Sequence, residues 1–133
     1  MPTIDHIAVV VEDIGEALTF YRDALGLDVV ERRTVPEEGV EVASVSLGEA
    51  TLELVRPLEA ESGVGRFLSR RGEGLHHVCL TVEDIAAAME RLRQEGAELI
   101  NDEPQVGADG TRYAFIHPRS AHGVLVELYE RRS

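Results

Sequence analysis

The 133-residue chain has one cysteine, few basic residues and no long apolar run, and each shortage removes a class of protein. A single cysteine, Cys79, excludes an internal disulfide. Neither a leader nor a stretch apolar enough to span a bilayer is visible, which points to a cytoplasmic protein with no membrane partner. Lys and Arg number 13 against 25 Asp and Glu, a net charge of −12, so the surface as a whole repels nucleic acid and anionic lipid. No block of like charge and no low-complexity segment stands apart, so the acids belong to a solvated surface and not to a tail. Local cations for an anionic ligand remain at Arg66, Arg70, Arg71, Arg112 and Arg119. The length and a hydrophobic content of 44% suit one domain, residues 1–133, with one core.

What the chain does contain is a long internal repeat. Asp5-His6-Ile7-Ala8-Val9-Val10-Val11-Glu12-Asp13-Ile14 returns as His76-His77-Val78-Cys79-Leu80-Thr81-Val82-Glu83-Asp84-Ile85, and Leu52-Glu53-Leu54 returns as Val126-Glu127-Leu128. Each half opens with a His and closes with a Glu, both residue types that ligate metals.

Local patterns give both halves one element order. Residues 3–11 are dense in β-branched and apolar residues and predict a strand. Asp13 with Glu16 forms a capping box, and Ile14, Leu18, Tyr21 and Leu25 recur at helical spacing until Gly26. Strands follow at 27–33, 40–47 and 51–55, the last two joined by a hairpin about Gly48-Glu49. In the second half the spacing predicts a strand at 76–82, a helix at 85–95 ended by Gly96, and a strand near Glu98-Leu99-Ile100. A Gly-containing loop and a hairpin of 111–117 with 124–129 complete it. The fold class is α+β: two tandem βαβββ modules, about 3–57 and 75–130, forming curved mixed sheets around a metal site. A linker, 58–74, carries one short helix.

His6 and His77 open equivalent strands, and Glu53 and Glu127 lie on equivalent closing strands. Glu53 sits between Leu52 and Leu54, and Glu127 between Val126 and Leu128, so each has apolar neighbours facing the other way. If a pseudo-twofold relates the halves, all four converge. Two imidazoles and two carboxylates suit a divalent ion such as Co²⁺, Mn²⁺, Ni²⁺, Fe²⁺ or Zn²⁺, with positions left open for substrate. Cys79 would share a strand face with His77, but its counterpart is Ala8, which argues for a core thiol. His76 should point away from His77 and serve structure, and His117 and His122 read as turn residues.

A strand-helix-three-strand unit repeated once, with His and Glu so placed, resembles the vicinal oxygen chelate superfamily. Within it the chain resembles the methylmalonyl-CoA epimerase family. The motifs are Pro36-Glu37-Glu38-Gly39-Val40, Leu52-Glu53-Leu54 with Pro57-Leu58, Gly74-Leu75-His76-His77, Asp102-Glu103-Pro104, Val106-Gly107-Ala108 with Gly110, and Phe115-Ile116-His117-Pro118-Arg119-Ser120 leading into Gly123-Val124-Leu125-Val126-Glu127-Leu128. The resemblance implies a divalent metal, Co²⁺ foremost, held by His6, Glu53, His77 and Glu127, where some members carry Gln at the second position. It implies an acyl-CoA substrate, epimerised through an enolate, and a homodimer. A glyoxalase-type isomerase and a non-catalytic binding module share the superfamily's fold and are the alternatives.

Inversion at one carbon needs a proton donor on each face of a planar intermediate. Glu127, beside the metal, is one. Some members place the other acid three residues after the loop Gly, where this chain has Val42, with Glu41 one residue earlier. Glu41 is therefore the expected second acid. A two-residue hairpin turn would put Ser44 and Val42 on the face of Glu53 and leave Glu41 outside, unless a bulge near Gly39 restores it.

Overall fold

A computed structural model describes residues 2–131, which divide into one unit of His6–His76 and another of 77–131 together with 2–5. In the first unit the strand β1 (Thr3–Val10, from His6 onward) leads into a helix, α1 (Ile14–Leu18). Asp13 has an extended backbone, and its Oδ1 accepts the Glu16 N–H at 2.8 Å, satisfying one orphan donor of the first turn. The periodicity predicts α-helix as far as Leu25. Instead the coil widens to π turns over Thr19–Ala24, where the Leu25 N–H reaches back to the Phe20 carbonyl at 2.8 Å. Ile14 and Leu18 are buried whereas no residue of 19–24 is, so the packing that enforces the tighter coil ends at Leu18. Gly26, at φ +84°, stops the helix in a conformation that glycine adopts without strain.

Strands β2 (Val29–Val35), β3 (Val40–Leu47) and β4 (Ala50–Pro57) follow, in the spatial order β2-β3-β4-β1. β4 is antiparallel to β3 and parallel to β1, so the sheet is mixed. Gly48-Glu49 is a two-residue turn: Leu47 pairs with Ala50, and the register runs unbroken to Val40 opposite Pro57. The bulge lies in β2, between Val29 and Glu31, and not near Gly39.

Alternation then sorts the side chains. One face carries Ile7, Val9, Ala43, Val45, Leu52 and Leu54 against Ile14 and Leu18 of α1. The other carries Ala8, Val40, Val42 and Val55, against which Val64 packs. Val64 belongs to α2 (Gly63–Arg71), the short helix expected in the linker, capped by the Ser62 hydroxyl accepting from the Gly65 N–H at 3.0 Å. Gly65 is buried because a Cβ there would stand 2.3 Å from the Glu59 carbonyl oxygen and 2.7 Å from that of Ala60.

The second unit repeats the plan with β5 (Gly74–Val82, from His77 onward), α3 (Ile85–Gln94), β6 (Gln105–Val106), β7 (Arg112–Ile116) and β8 (Leu125–Glu130), in the order β5-β8-β7-β6. Asp84 caps α3 through the Ala87 N–H, and the Glu130 carboxylate accepts the Ile85 N–H, both at 3.0 Å. Ile85 and Met89 pack on Ala114, Ile116 and Leu128. The strand expected at 98–100 is reduced to a single bridge, Leu99 to Ile116. The Asn101 side chain explains the reduction: its Oδ1 takes the Phe115 N–H at 2.7 Å, the donor that a continued ladder would need. The paired strand β6 falls instead inside the segment expected to be loop. No helix among the described residues is long and apolar enough to cross a membrane.

Glu41 lies on the α1 side of the first sheet, paired in register with Thr34 and Arg56. Its Oε2 accepts from Arg32 Nε at 3.0 Å and its Oε1 from Arg56 Nε at 3.1 Å. The hydrogen bond from Arg32 holds this carboxyl below its ordinary pKa; partial burial opposes the shift and Arg56 reinforces it. Glu41→Gln should cost roughly 0.2–1 kcal/mol at neutral pH, as for half-exposed ion pairs. Because the folded-state pKa is depressed, that difference is fully present above the ordinary carboxylate pKa. It disappears as pH falls through the depressed value, which urea unfolding of both proteins at several pH values will reveal. Gly65→Ala should destabilise by about 1–3 kcal/mol, because two backbone carbonyls must move. Gly63→Ala, with open space around its Cβ, should leave the thermal midpoint near that of the native chain.

Candidate active site

Each unit presents one histidine and one glutamate to the face away from its core helix. In the first, His6 lies on β1 and Glu53 on β4, where Ala8 is the register partner of Glu53. Their side chains therefore meet on a diagonal, with His6 Nε2 at 3.7 Å from Glu53 Oε1. His6 is 3% exposed, while the Glu53 side chain keeps 21% of its surface. In the second unit Cys79 is the register partner of Glu127, and His77 Nε2 stands 3.2 Å from Glu127 Oε1. Glu127 is 6% exposed, a buried carboxylate that requires partners.

These spacings test the fit of a metal. An ion bound at about 2.1 Å by nitrogen and oxygen donors holds neighbouring ligand atoms roughly 3.0–3.4 Å apart in octahedral or tetrahedral geometry. The pair in the second unit has that separation, and the pair in the first needs only a few tenths of an ångström of closure. Imidazole with carboxylate is also the donor chemistry of borderline divalent ions.

The groups around the two pairs differ. On the first sheet Ser44 pairs in register with Glu53, and Arg33 shares its face. Arg33 Nη1 donates to Ser44 Oγ at 3.1 Å, and Nη2 stands 3.9 Å from Glu53 Oε2. Sequence reasoning missed Arg33, because its facing depends on a register carried through the Pro36–Glu38 turn; the place of Ser44 opposite Glu53 follows from the hairpin. On the second sheet Phe115 pairs in register with Glu127 and sets its ring edge-on to His77, centroids 6.0 Å apart. His76 turns away from its neighbour, its ring 4.9 Å from that of Phe67 in an edge-on contact. Cys79 is fully buried.

Glu41 is not brought to this face. The unbroken β3–β4 register sends it to the α1 side with both oxygens on arginines, so the bulge that would have redirected it is absent from β3. Glu37 and Glu38 stand exposed in the turn that precedes β3.

The model of the Glyoxalase/Bleomycin resistance protein/Dioxygenase superfamily matches residues 5–115. The mitochondrial methylmalonyl-CoA epimerase of Mus musculus is 42% identical over 126 residues, covering 94% of this chain and 71% of that one. The ethylmalonyl-CoA/methylmalonyl-CoA epimerase of Cereibacter sphaeroides is 39% identical, covering 94% of this chain and 95% of that one. Among solved structures, a methylmalonyl-CoA epimerase in complex with methylmalonyl-CoA and ammonium superimposes with a TM-score of 0.85 at 34% identity, covering 98% of this chain and 94% of that one. By these likenesses over nearly its whole length, the chain belongs to the methylmalonyl-CoA epimerase family of that superfamily.

Proposed function

We propose that this chain interconverts the two epimers of methylmalonyl-CoA, and of related malonyl thioesters, by moving one proton at the carbon between thioester and carboxylate. The observation that carries the reading is the repeated His–Glu pair on equivalent strands of both modules, 3.2 Å apart in the second and 3.7 Å in the first. We further propose that His6, Glu53, His77 and Glu127 hold one divalent cation, Co²⁺ foremost, in a single domain that works as a homodimer. When bound, such an ion supplies Lewis acidity to the oxygens on which negative charge develops.

The chain's own groups do the proton work. Glu127 takes the α-hydrogen on one face of the carbon, and its burial beside His77 keeps it out of bulk water, where a carboxylate is too weak a base for such a hydrogen. Loss of that proton leaves a planar enolate, and a second acid must deliver a proton to the other face. Glu41 is the residue suggested by its distance from the loop glycine. Its pairing with Arg32 and Arg56 lowers its pKa, which weakens it as a base, and keeps it on the α1 side of the sheet. We therefore propose that the opposite proton comes from one turn carboxylate, Glu37 or Glu38, which is exposed in the turn before β3 and must lose its water on substrate binding to match Glu127 as a base.

Three outcomes follow. His6→Ala and His77→Ala should each lose the bound ion after dialysis, whereas His76→Ala should keep it; metal analysis decides, and unchanged stoichiometry in both of the first two would sink the site. In D₂O the metal-loaded protein should place deuterium at the α-carbon as epimerisation proceeds, and absence of exchange by NMR would overturn the epimerase reading. Glu41→Gln should retain turnover within a few fold. Glu127→Gln, and one of Glu37→Gln or Glu38→Gln, should lose the roughly 10²–10⁴-fold that a positioned acid or base supplies.

A further inference from the structure

We infer that Arg33 is a positioning residue that offsets the charge of Glu53 and aims its carboxylate, an inference that rests on the metal-binding reading above. Glu53 is held at both ends. Its Oε1 faces His6 Nε2 at 3.7 Å, and its Oε2 faces Arg33 Nη2 at 3.9 Å. The guanidinium is itself fixed, since Nη1 donates to Ser44 Oγ at 3.1 Å and lies 3.5 Å from Glu31 Oε2. Ser44 is buried and is the register partner of Glu53, so the anchor and the group it serves are carried by directly paired strand positions. Such an arrangement turns Oε1, and not Oε2, toward the imidazole.

Charge supplies the second reason. Two glutamates among the ligands cancel a divalent ion, so an anionic thioester would meet a site with no net attraction for it. Arg33 places a positive charge next to the ligand, on the side away from His6, and Glu31 at 3.5 Å offsets only part of it. Arginine suits the task because its charge persists at every accessible pH and its planar fork serves a hydroxyl and carboxylates together. The side chain keeps 37% of its surface, so solvent screens the effect to a modest size.

Compensation makes a prediction that a merely structural arginine does not. Removing a cation beside a ligand tightens metal binding and weakens binding of an anion. Removing a structural prop loosens both. Metal-stripped Arg33→Gln, titrated with Co²⁺ and followed by visible absorption, should bind the ion about three- to tenfold more tightly than the native chain. Its KM for methylmalonyl-CoA should rise by a similar factor with kcat little changed. Arg33→Lys, which keeps the charge, should stay near native in both measurements.

Weaker Co²⁺ binding in Arg33→Gln would overturn the inference. So would a KM for methylmalonyl-CoA that stays native in Arg33→Gln, or a Co²⁺ affinity in Arg33→Lys as far from native as in Arg33→Gln. Failure of the epimerase reading itself looks different: the native chain would then take up no Co²⁺ or show no turnover.

Discussion

The parallel pairing of each module's first strand with its last is the constraint on which the rest depends. In both modules the acid of the last strand is the register partner of the residue two past the histidine: Ala8 with Glu53, Cys79 with Glu127. Diagonal neighbours on a common face lie within reach of long side chains, so imidazole meets carboxylate in each case. A slip of one residue in either ladder would turn the glutamate into the apolar layer under α1 or α3. The hydrophobic residues flanking each glutamate make that slip costly, since Leu52 and Leu54, or Val126 and Leu128, would have to face away from their core. The packing that stabilises the sheet thus also aims the acid.

The same alternation divides the arginines. Arg32 and Arg33 are adjacent on β2 and face opposite ways, Arg32 toward Glu41 on the α1 side and Arg33 toward Glu53 and Ser44 on the other. In a chain with 25 acids and 13 Lys and Arg, cations are scarce, and here one dipeptide serves two carboxylates separated by the thickness of the sheet. The first of these pairings bears on stability, the second on the proposed chemistry.

Much of this was legible in the amino-acid order because the governing signals are local or repeated. The hairpin at Gly48-Glu49 set the facing of Ser44, Val42 and Glu41, and the repeat matched His6 with His77 and Glu53 with Glu127. The capping aspartate of α1 was visible in its spacing from Glu16, and the repeat carries Glu-Asp-Ile into the second half, where the structure shows Asp84 capping α3. What escaped has physical reasons as well. The widening at Thr19–Ala24 is hidden because α and π spacings barely diverge over a turn or two. The strand at 98–100 fails through one side chain, Asn101, which mimics a backbone acceptor. β6 is two exposed residues, too short for any alternation to register. Arg33 required the β2–β3 register, which is set by the Pro36–Glu38 turn and which no alternation within β2 itself announces.

Pairing first strand to last also bears on how each module assembles. The two ends of such a sheet are distant in sequence, so the chain must close a long loop, with its entropic cost, before the ladder returns anything. α3 shows the dependence most directly: the carboxylate that takes its Ile85 N–H belongs to Glu130, at the end of β8, which also binds Arg112 of β7. Helix start, hairpin and closing strand are thereby tied at one side chain. That side chain couples the start of α3 to the closing of β8, the same strand that carries Glu127 to His77.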